Sequence, residues 1–196
     1  MGDPTEGYKA VGGQEWTVHN RDGDEADGWV AQHGGAAALT PAAAAVDADF
    51  VFCCVGDDPD VLSVALGDDG AIPTMKSGAV FIDNSTVSAD VARQVYDDAK
   101  AMGVHTLDAP VSGGQAGAEN GKLTVMVGGD DAVSAAALPF IECYGARVVH
   151  MGGAGKAHQA QPAHPTCTPG QSAAAAAVVS RAPACGLCAG QGWWCG

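Results

Sequence analysis

The sequence is short of basic residues. Lys and Arg together number 9, against 23 Asp and Glu in 196 residues, and the formal net charge is −14. A chain this acidic is repelled by nucleic-acid phosphates and by anionic membrane surfaces, so we expect neither as a partner. The overall charge does not exclude a local positive pocket for a single phosphate group.

Long apolar runs are also lacking. No stretch of 18 or more apolar residues occurs, so we expect no membrane-spanning helix. The first ten residues, MGDPTEGYKA, lack the basic flank and apolar centre of a signal peptide. The cysteines number 7, and an odd count without an export signal is typical of a reduced compartment. We therefore expect the protein to be cytoplasmic.

Strand-like and helix-like segments alternate through the first 130 residues. The run at 49–55, DFVFCCV, is continuously apolar, as in a strand buried on both faces. Residues 88–102 are amphipathic, with Val91, Val95 and Ala99 recurring at helical spacing. We predict strands at 16–20, 49–55, 79–82, 104–107 and 123–127, and helices at 25–33, 41–46 (capped by Thr40), 59–66 and 88–102. This alternation predicts an α/β fold with a parallel sheet.

The most informative stretch is 108–129, DAPVSGGQAGAENGKLTVMVGG. A strand-like run ends at Asp108, and Ser112, Gly113 and Gly114 follow as a turn before the next strand. Glycines let the backbone approach a ligand and turn N–H groups toward an anion, and a hydroxyl adds an orienting hydrogen bond. An isolated Ser-Gly-Gly is also compatible with a plain tight turn between two strands.

The whole stretch resembles the substrate-binding segment of the β-hydroxyacid dehydrogenase family, which includes 3-hydroxyisobutyrate dehydrogenase and the glyoxylate and succinic semialdehyde reductases. The resemblance covers about residues 16–155, with fragments at 1–4. It implies a doubly wound, Rossmann-like, mostly parallel sheet in residues 1–155, like the NAD(P)-binding domain of 6-phosphogluconate dehydrogenase. The implied activity is hydride transfer between a nicotinamide and a small β-hydroxy acid or semialdehyde. Ser112, Gly113 and Gly114 would bind the carboxylate of this small-molecule substrate.

The same resemblance assigns the cofactor residues. Gly2 falls on the third glycine of the dinucleotide fingerprint, which implies that the first strand of the sheet is missing. Asn20 and Arg21 fall at the end of the second strand, where an arginine suits the 2′-phosphate of NADP and an acidic residue suits NAD. We therefore expect NADP, with NAD as the alternative. The other positions that match the cofactor groove are Val55, Gly56, Ser85 and Thr86.

The catalytic acid/base is the main departure from the family. Family spacing places Gln161 at the position of the general-acid lysine and His164 at that of a substrate-binding asparagine. Glutamine exchanges no proton near neutral pH, so Lys156 and His164 are weaker candidates for that role. Cys185 and Cys188 form a lone CxxC without a second pair, and we predict no metal site from it.

Residues 156–196 resemble a degenerate remnant of the helical domain that closes the active site and forms the dimer in the family. Prolines at 162, 165 and 169 disfavour a long helix and indicate a poorly ordered tail. We therefore do not expect a homodimer. A catalytically inactive NADP-binding module, or a truncated gene product, is the alternative function. The choice of hydroxy acid lies largely in the helical domain and is left open.

Overall fold

The computed structural model describes residues 15–160 and 176–181, and every predicted helix and strand in this part is present. The strands are β1 (Glu15–Asn20), β2 (Ala36–Ala37), β3 (Phe50–Cys53), β4 (Val80–Asp83), β5 (His105–Asp108), β6 (Val111–Ser112), β7 (Leu123–Gly128), β8 (Gly145–Gly152) and β9 (Ala176–Arg181). The helices are α1 (Gly23–His33), α2 (Pro41–Ala45), α3 (Asp58–Leu66), α4 (Ala89–Ala101), α5 (Gly114–Glu119), α6 (Asp131–Ile141) and α7 (Lys156–Ala160), with a 3₁₀ turn at Ile72–Thr74.

Side-chain caps determine where several helices begin. Thr40 Oγ1 accepts a hydrogen bond from Ala43 N–H at 3.1 Å, as the sequence predicts, and Pro41 occupies the first turn of α2. Ser88 Oγ accepts from Val91 N–H at 3.3 Å at the start of α4. Each cap satisfies a backbone N–H that has no partner within its helix, so the local sequence defines these helix starts.

All nine strands join one mixed sheet in the order β2-β1-β9-β3-β4-β5-β7-β6, with β8 paired to β7. The predicted parallel pairing is confirmed for β3, β4 and β5. In their register Cys53 pairs with Asp83 and Asp83 with Asp108, so the three strands end level with one another. The architecture is that of a Rossmann-like α/β fold.

The last described strand occupies a central position in the sheet. β9 lies between β1 and β3 and runs antiparallel to both, with Val178 opposite Val18 on one side and Phe52 on the other. The sequence analysis predicts no strand at 176–181 and assigns this stretch to the helical remnant. The structure instead places it inside the sheet, because two neighbouring strands would otherwise have unpaired backbone groups.

At the other end of the sheet, β7 pairs with three strands, two of them antiparallel to it. β6 and β7 pair as a hairpin, with Ser112 opposite Thr124. β6 continues in the direction of β5, so β7 runs antiparallel to β5, with Asp108 opposite Gly128. β8 then pairs parallel to β7. The sequence analysis did not predict β8 or the preceding helix α6.

The sheet is covered on both faces. In β3, Val51 and Cys53 pack into one apolar cluster, while Phe50 and Phe52 pack into the other. All four residues are buried, which confirms the prediction that 49–55 contains a strand covered on both faces. None of the helices formed by the described residues combines the length and the apolar character that crossing a bilayer requires.

The central position of β9 can be tested with a proline. Val178→Pro removes a backbone N–H from a strand that is paired on both sides, and proline is poorly tolerated in such strands. We expect the free energy of unfolding to fall by roughly 1–3 kcal/mol, the cost of a buried polar group left without its partner. Urea unfolding followed by circular dichroism measures this. Val178→Thr keeps the N–H and the branched side chain, and equal stability of the two variants would contradict the pairing of β9.

Candidate functional site

The carboxyl ends of β3, β4 and β5 bring the predicted cofactor residues to one edge of the sheet. Val55 and Gly56 follow β3, and Ser85 and Thr86 follow β4. Ligands of open α/β sheets bind outside this edge, since the loops that follow the parallel strands meet there. The structure therefore groups these four residues in the region where a dinucleotide is expected.

Val55 and Ser85 connect the two loops from within. Val55 N–H donates to Ser85 Oγ at 2.8 Å, and Ser85 N–H donates to Asp83 Oδ1 at 2.9 Å. Both Val55 and Ser85 are buried, whereas the adjacent Gly56 and Thr86 are exposed. The buried pair thus fixes the loop positions, and the exposed neighbours form the surface that a ligand would meet.

Asp83 is a buried carboxyl group at the end of β4. Burial raises the pKa of Asp83, against the opposing effects of the Ser85 hydrogen bonds and of nearby His158. A carboxyl group whose pKa is raised on folding stabilises the folded state at low pH, and this contribution to stability is lost as the pH rises through the raised pKa. Burial thus disfavours the ionised form of Asp83, whereas Ser85 and His158 favour it.

Arg21 lies beside the loop that follows β3. Its guanidinium Nη1 is 3.4 Å from Asp60 Oδ1, and its side chain is 71% exposed. Asp60 also approaches Gly56, where an added Cβ would lie 3.3 Å from Asp60 Oδ2. Exposed ion pairs contribute little stability, so this contact leaves Arg21 free to exchange Asp60 for another anion.

The Asn20 side chain forms hydrogen bonds within the turn that follows β1. Its Oδ1 accepts from Asp22 N–H at 2.9 Å, and its Nδ2 donates to Glu25 Oε2 at 2.7 Å. These two contacts shape the connection between β1 and α1. In the structure Asn20 supports the turn that carries Arg21.

The Ser-Gly-Gly motif occupies the β6–β7 hairpin. Ser112 is buried in β6, while Gly113 and Gly114 are exposed. The two glycines have φ values of +141° and +61°, a region that favours glycine over other residues. Ser112 stands four residues beyond Asp108, which is up to about 13 Å along an extended chain. Ser112, Gly113 and Gly114 therefore lie together, beyond the end of β5.

Asp108 is a functional candidate that the sequence analysis did not single out. Its buried carboxylate accepts Gly155 N–H on Oδ1 at 2.9 Å and Ala157 N–H on Oδ2 at 3.1 Å. On the other side, a Cβ added at Gly128 would lie 2.5 Å from Oδ1. The carboxylate therefore joins β5 to the start of α7 and fills the space beside Gly128. An acidic residue at the carboxyl end of a predicted strand was the available signal.

His158 is the second residue that sequence reasoning missed. It is buried, and its Nε2 donates to the Ser85 carbonyl at 3.0 Å. Its Nδ1 lies 3.3 Å from Asp108 Oδ2 but makes no aligned hydrogen bond within the described part of the chain. A proton on Nδ1 would make this contact an ion pair. His158 connects α7 to the loop after β4.

Lys156 lies at the beginning of α7 and is exposed. Its Nζ donates to Gln159 Oε1 at 3.1 Å on the same helix. The structure thus brings Lys156 near the segment held by Asp108, with its amine at the surface. Gly2, Gln161, His164, Cys185 and Cys188 lie outside the described residues. Within the described residues no group of three or more His, Cys, Asp or Glu is arranged to hold a metal ion.

The chain matches a known protein family over most of its length. Residues 1–153 match the family described as the NAD binding domain of 6-phosphogluconate dehydrogenase. The chain belongs to this family. It is an NAD-binding domain of the 3-hydroxyisobutyrate dehydrogenase-like oxidoreductases, as the motif at 108–129 predicted.

Individual relatives agree with this assignment. An uncharacterized oxidoreductase of Shewanella frigidimarina is 49% identical over 144 residues, which are 74% of this chain and 50% of the relative. The 3-hydroxyisobutyrate dehydrogenase of Mycobacterium tuberculosis, solved with L-serine, has a TM-score of 0.65 and 34% identity over 70% of this chain and 46% of its own. Psf3, solved with NADP⁺ and 2-OPP, has a TM-score of 0.68 and 28% identity over 73% of this chain and 50% of its own.

The chain spans about half the length of the curated relatives it matches. The matched half is the nucleotide-binding domain. Statements about the activity and substrates of the whole protein are therefore proposals.

The packing of Asp108 against Gly128 gives a stability test. In Gly128→Ala the new methyl group would overlap the carboxylate that holds Gly155 and Ala157. We expect the free energy of unfolding to drop by roughly 1–3 kcal/mol, as is usual for overpacking. Gly28→Ala is the control, since it has open space on helix α1 and should stabilise by about 0.5–1 kcal/mol. Chemical denaturation of both variants checks this, and similar curves would contradict the packing.

Proposed function

We propose that this chain is the NADP(H)-binding part of an oxidoreductase that interconverts a small β-hydroxy acid and its semialdehyde or ketone. One observation carries the proposal. The loops after β3 and β4 and the Ser112-Gly113-Gly114 motif lie along the same edge of a Rossmann-like sheet. A cofactor bound across these loops would lie alongside a substrate held by the motif.

The described residues fit the adenosine end of NADP. Arg21 is exposed and carries a permanent charge, and its contact with Asp60 is a weak one that it can exchange. Its planar guanidinium suits the two-point recognition of a phosphate group. Gly56 and Thr86 would form the floor of the groove. When bound, the nicotinamide supplies or accepts the hydride.

The substrate carboxylate would be held by the β6–β7 hairpin. The Ser112 hydroxyl can donate one hydrogen bond, and the N–H groups of Gly113 and Gly114 add backbone donors. The positive φ values of both glycines turn the backbone sharply at this point. Ser112 belongs to β6, which pairs with β7, and the two glycines follow at the start of helix α5.

Lys156 is the proposed proton donor and acceptor among the described residues. It is exposed at the carboxyl edge, on the helix that Asp108 holds in place. Its only described hydrogen bond, to Gln159, is an exposed one that a substrate oxygen could replace. A small carboxylate is the proposed partner, with no nucleic acid or membrane.

Cysteine chemistry supports a cytoplasmic setting. Cys53, Cys54 and Cys143, the cysteines of the described residues, form no disulfide. Burial raises the pKa of the Cys53 thiol well above its usual value, so this residue remains an inert part of the core. Thiols of this kind persist in a reducing compartment.

Cofactor choice can be measured by calorimetric titration with NADPH and then with NADH. We expect tighter binding of NADPH, because the Arg21 guanidinium can pair with the 2′-phosphate. Arg21→Ala should weaken NADPH binding about tenfold or more, since a charged hydrogen bond contributes roughly 1.5–3 kcal/mol. NADH binding should stay unchanged in that variant. Arg147→Ala is the control, as it removes an exposed arginine from β8. Equal affinities for both cofactors would contradict the role of Arg21.

Substrate binding can be tested at the hairpin. With NADPH and a small semialdehyde, Ser112→Ala should abolish turnover, because the substrate carboxylate loses its hydroxyl donor. Ser134→Ala on α6 is the control and should leave the rate unchanged. The assay follows NADPH absorbance while circular dichroism verifies that both variants fold. Wild-type turnover that persists unchanged in Ser112→Ala would overturn the assignment of this residue.

A further inference from the structure

The protonation state of His158 follows from its two contacts. The Ser85 carbonyl can only accept, so Nε2 must carry a proton. A neutral imidazole would then present the lone pair of Nδ1 to Asp108 Oδ2, 3.3 Å away in a buried site. Two lone pairs repel each other, whereas a proton on Nδ1 turns the contact into an attraction between opposite charges. The geometry therefore favours the imidazolium form.

The surrounding charges act in the same direction. The carboxylates of Asp108 on β5 and Asp83 on β4 are the charged groups that act on His158. From α4, Arg93 approaches the start of α7 and is paired with Asp90 at 2.7 Å. β7 has no charged residue. β8 carries Arg147, which is exposed, and His150, which contacts Asp131 and the Gly129 carbonyl. The local field around His158 is thus negative.

These contacts determine how His158 titrates. Burial alone would lower the pKa of His158, but Asp108, Asp83 and the Ser85 carbonyl outweigh burial and raise it above the ordinary value. A histidine whose pKa is raised on folding contributes stability that is complete below about pH 6.5. That contribution is lost as the pH rises through the raised pKa. This loss of stability occurs at a higher pH than the one at which an ordinary histidine titrates.

The same contacts connect two parts of the candidate site. His158 holds the carbonyl of Ser85, and Ser85 Oγ holds the N–H of Val55. Asp108 holds the N–H groups of Gly155 and Ala157, which lie on either side of Lys156. The loops proposed to line the cofactor groove are therefore tied to the start of α7 through one buried ion pair.

We propose that Asp108 and His158 are positioning residues whose ion pair holds the cofactor loops, so that loss of the imidazolium proton weakens binding of the dinucleotide. The cofactor half of this inference rests on the proposed function. Neither side chain needs to touch the cofactor, since both act through the backbone at Ser85 and at residues 155–157. Rising pH would loosen Ser85 and α7 together.

Amide hydrogen exchange tests the ion pair without any cofactor. The N–H groups of Gly155 and Ala157 should be protected at pH 6 and lose protection as the pH rises, after division by the intrinsic exchange rate at each pH. His158→Gln keeps a donor for the Ser85 carbonyl but removes the charge, so its protection should be lower at pH 6 and independent of pH. His105→Gln, at the other end of β5, should behave as wild type. Protection in the wild type that does not change with pH would overturn the proposal.

Calorimetric titration with NADPH tests the link to the cofactor. We compare the Kd values of wild type and His158→Gln at pH 6 and again at pH 9. At each pH the cofactor phosphate has the same charge for both proteins, so its titration does not affect the ratio of the variant Kd to the wild-type Kd. The variant should bind more weakly at pH 6, about tenfold for each unit by which cofactor binding shifts the histidine pKa. The ratio should approach one at pH 9. A ratio that is equal at both pH values would overturn the coupling.

The two experiments separate the possible failures. Absence of NADPH binding by the wild type at either pH would overturn the proposed function, and with it the cofactor half of this inference. Hydrogen exchange would still decide whether the ion pair holds α7. Normal NADPH binding combined with pH-independent exchange would instead reject the ion pair and leave the proposed function standing.

Discussion

The buried carboxylate of Asp108 is the constraint on which the candidate site depends. It ends β5 level with the neighbouring strands, accepts two N–H groups from the start of α7, and faces Gly128 at a distance that excludes any side chain there. A buried charge is costly unless it is paired and hydrogen-bonded, and His158 with the two amides meets this requirement. The positions of α7, of the Ser85 loop and of the β5–β7 pairing follow from satisfying this one group.

Continuity of the sheet is the second constraint. A strand between β1 and β3 is needed because both present backbone groups that must be paired. β9 meets that need from the C-terminal side of the chain and in the opposite direction to its neighbours. The centre of this sheet therefore contains one strand that runs antiparallel to both of its neighbours. β3, β4 and β5 still end level with one another, and the proposed cofactor groove depends on those ends.

Much of the fold could be predicted because its signals are local. The apolar run at 49–55 reads as a strand covered on both faces, and Thr40 and Ser88 mark helix starts through their own hydrogen bonds. Val55, Gly56, Ser85 and Thr86, which the resemblance assigns to the cofactor groove, follow the carboxyl ends of β3 and β4, and their contact with a cofactor stays a prediction. Asp108 and His158 escaped notice because they are fifty residues apart, and no pattern along the chain indicates that they meet.

The sequence by itself determined the alternation of strands and helices and the Ser-Gly-Gly turn, since periodicity, capping and turn chemistry act over a few residues. The family was expected from the resemblance of residues 108–129. Only the tertiary structure decided which strand fills the centre of the sheet, that Val55 and Ser85 are buried supports rather than surface groups, and that His158 pairs with Asp108. These outcomes depend on burial and backbone pairing between distant segments. A buried charge or an unpaired strand finds its partner by proximity in space, and that proximity exists only once the sheet has formed.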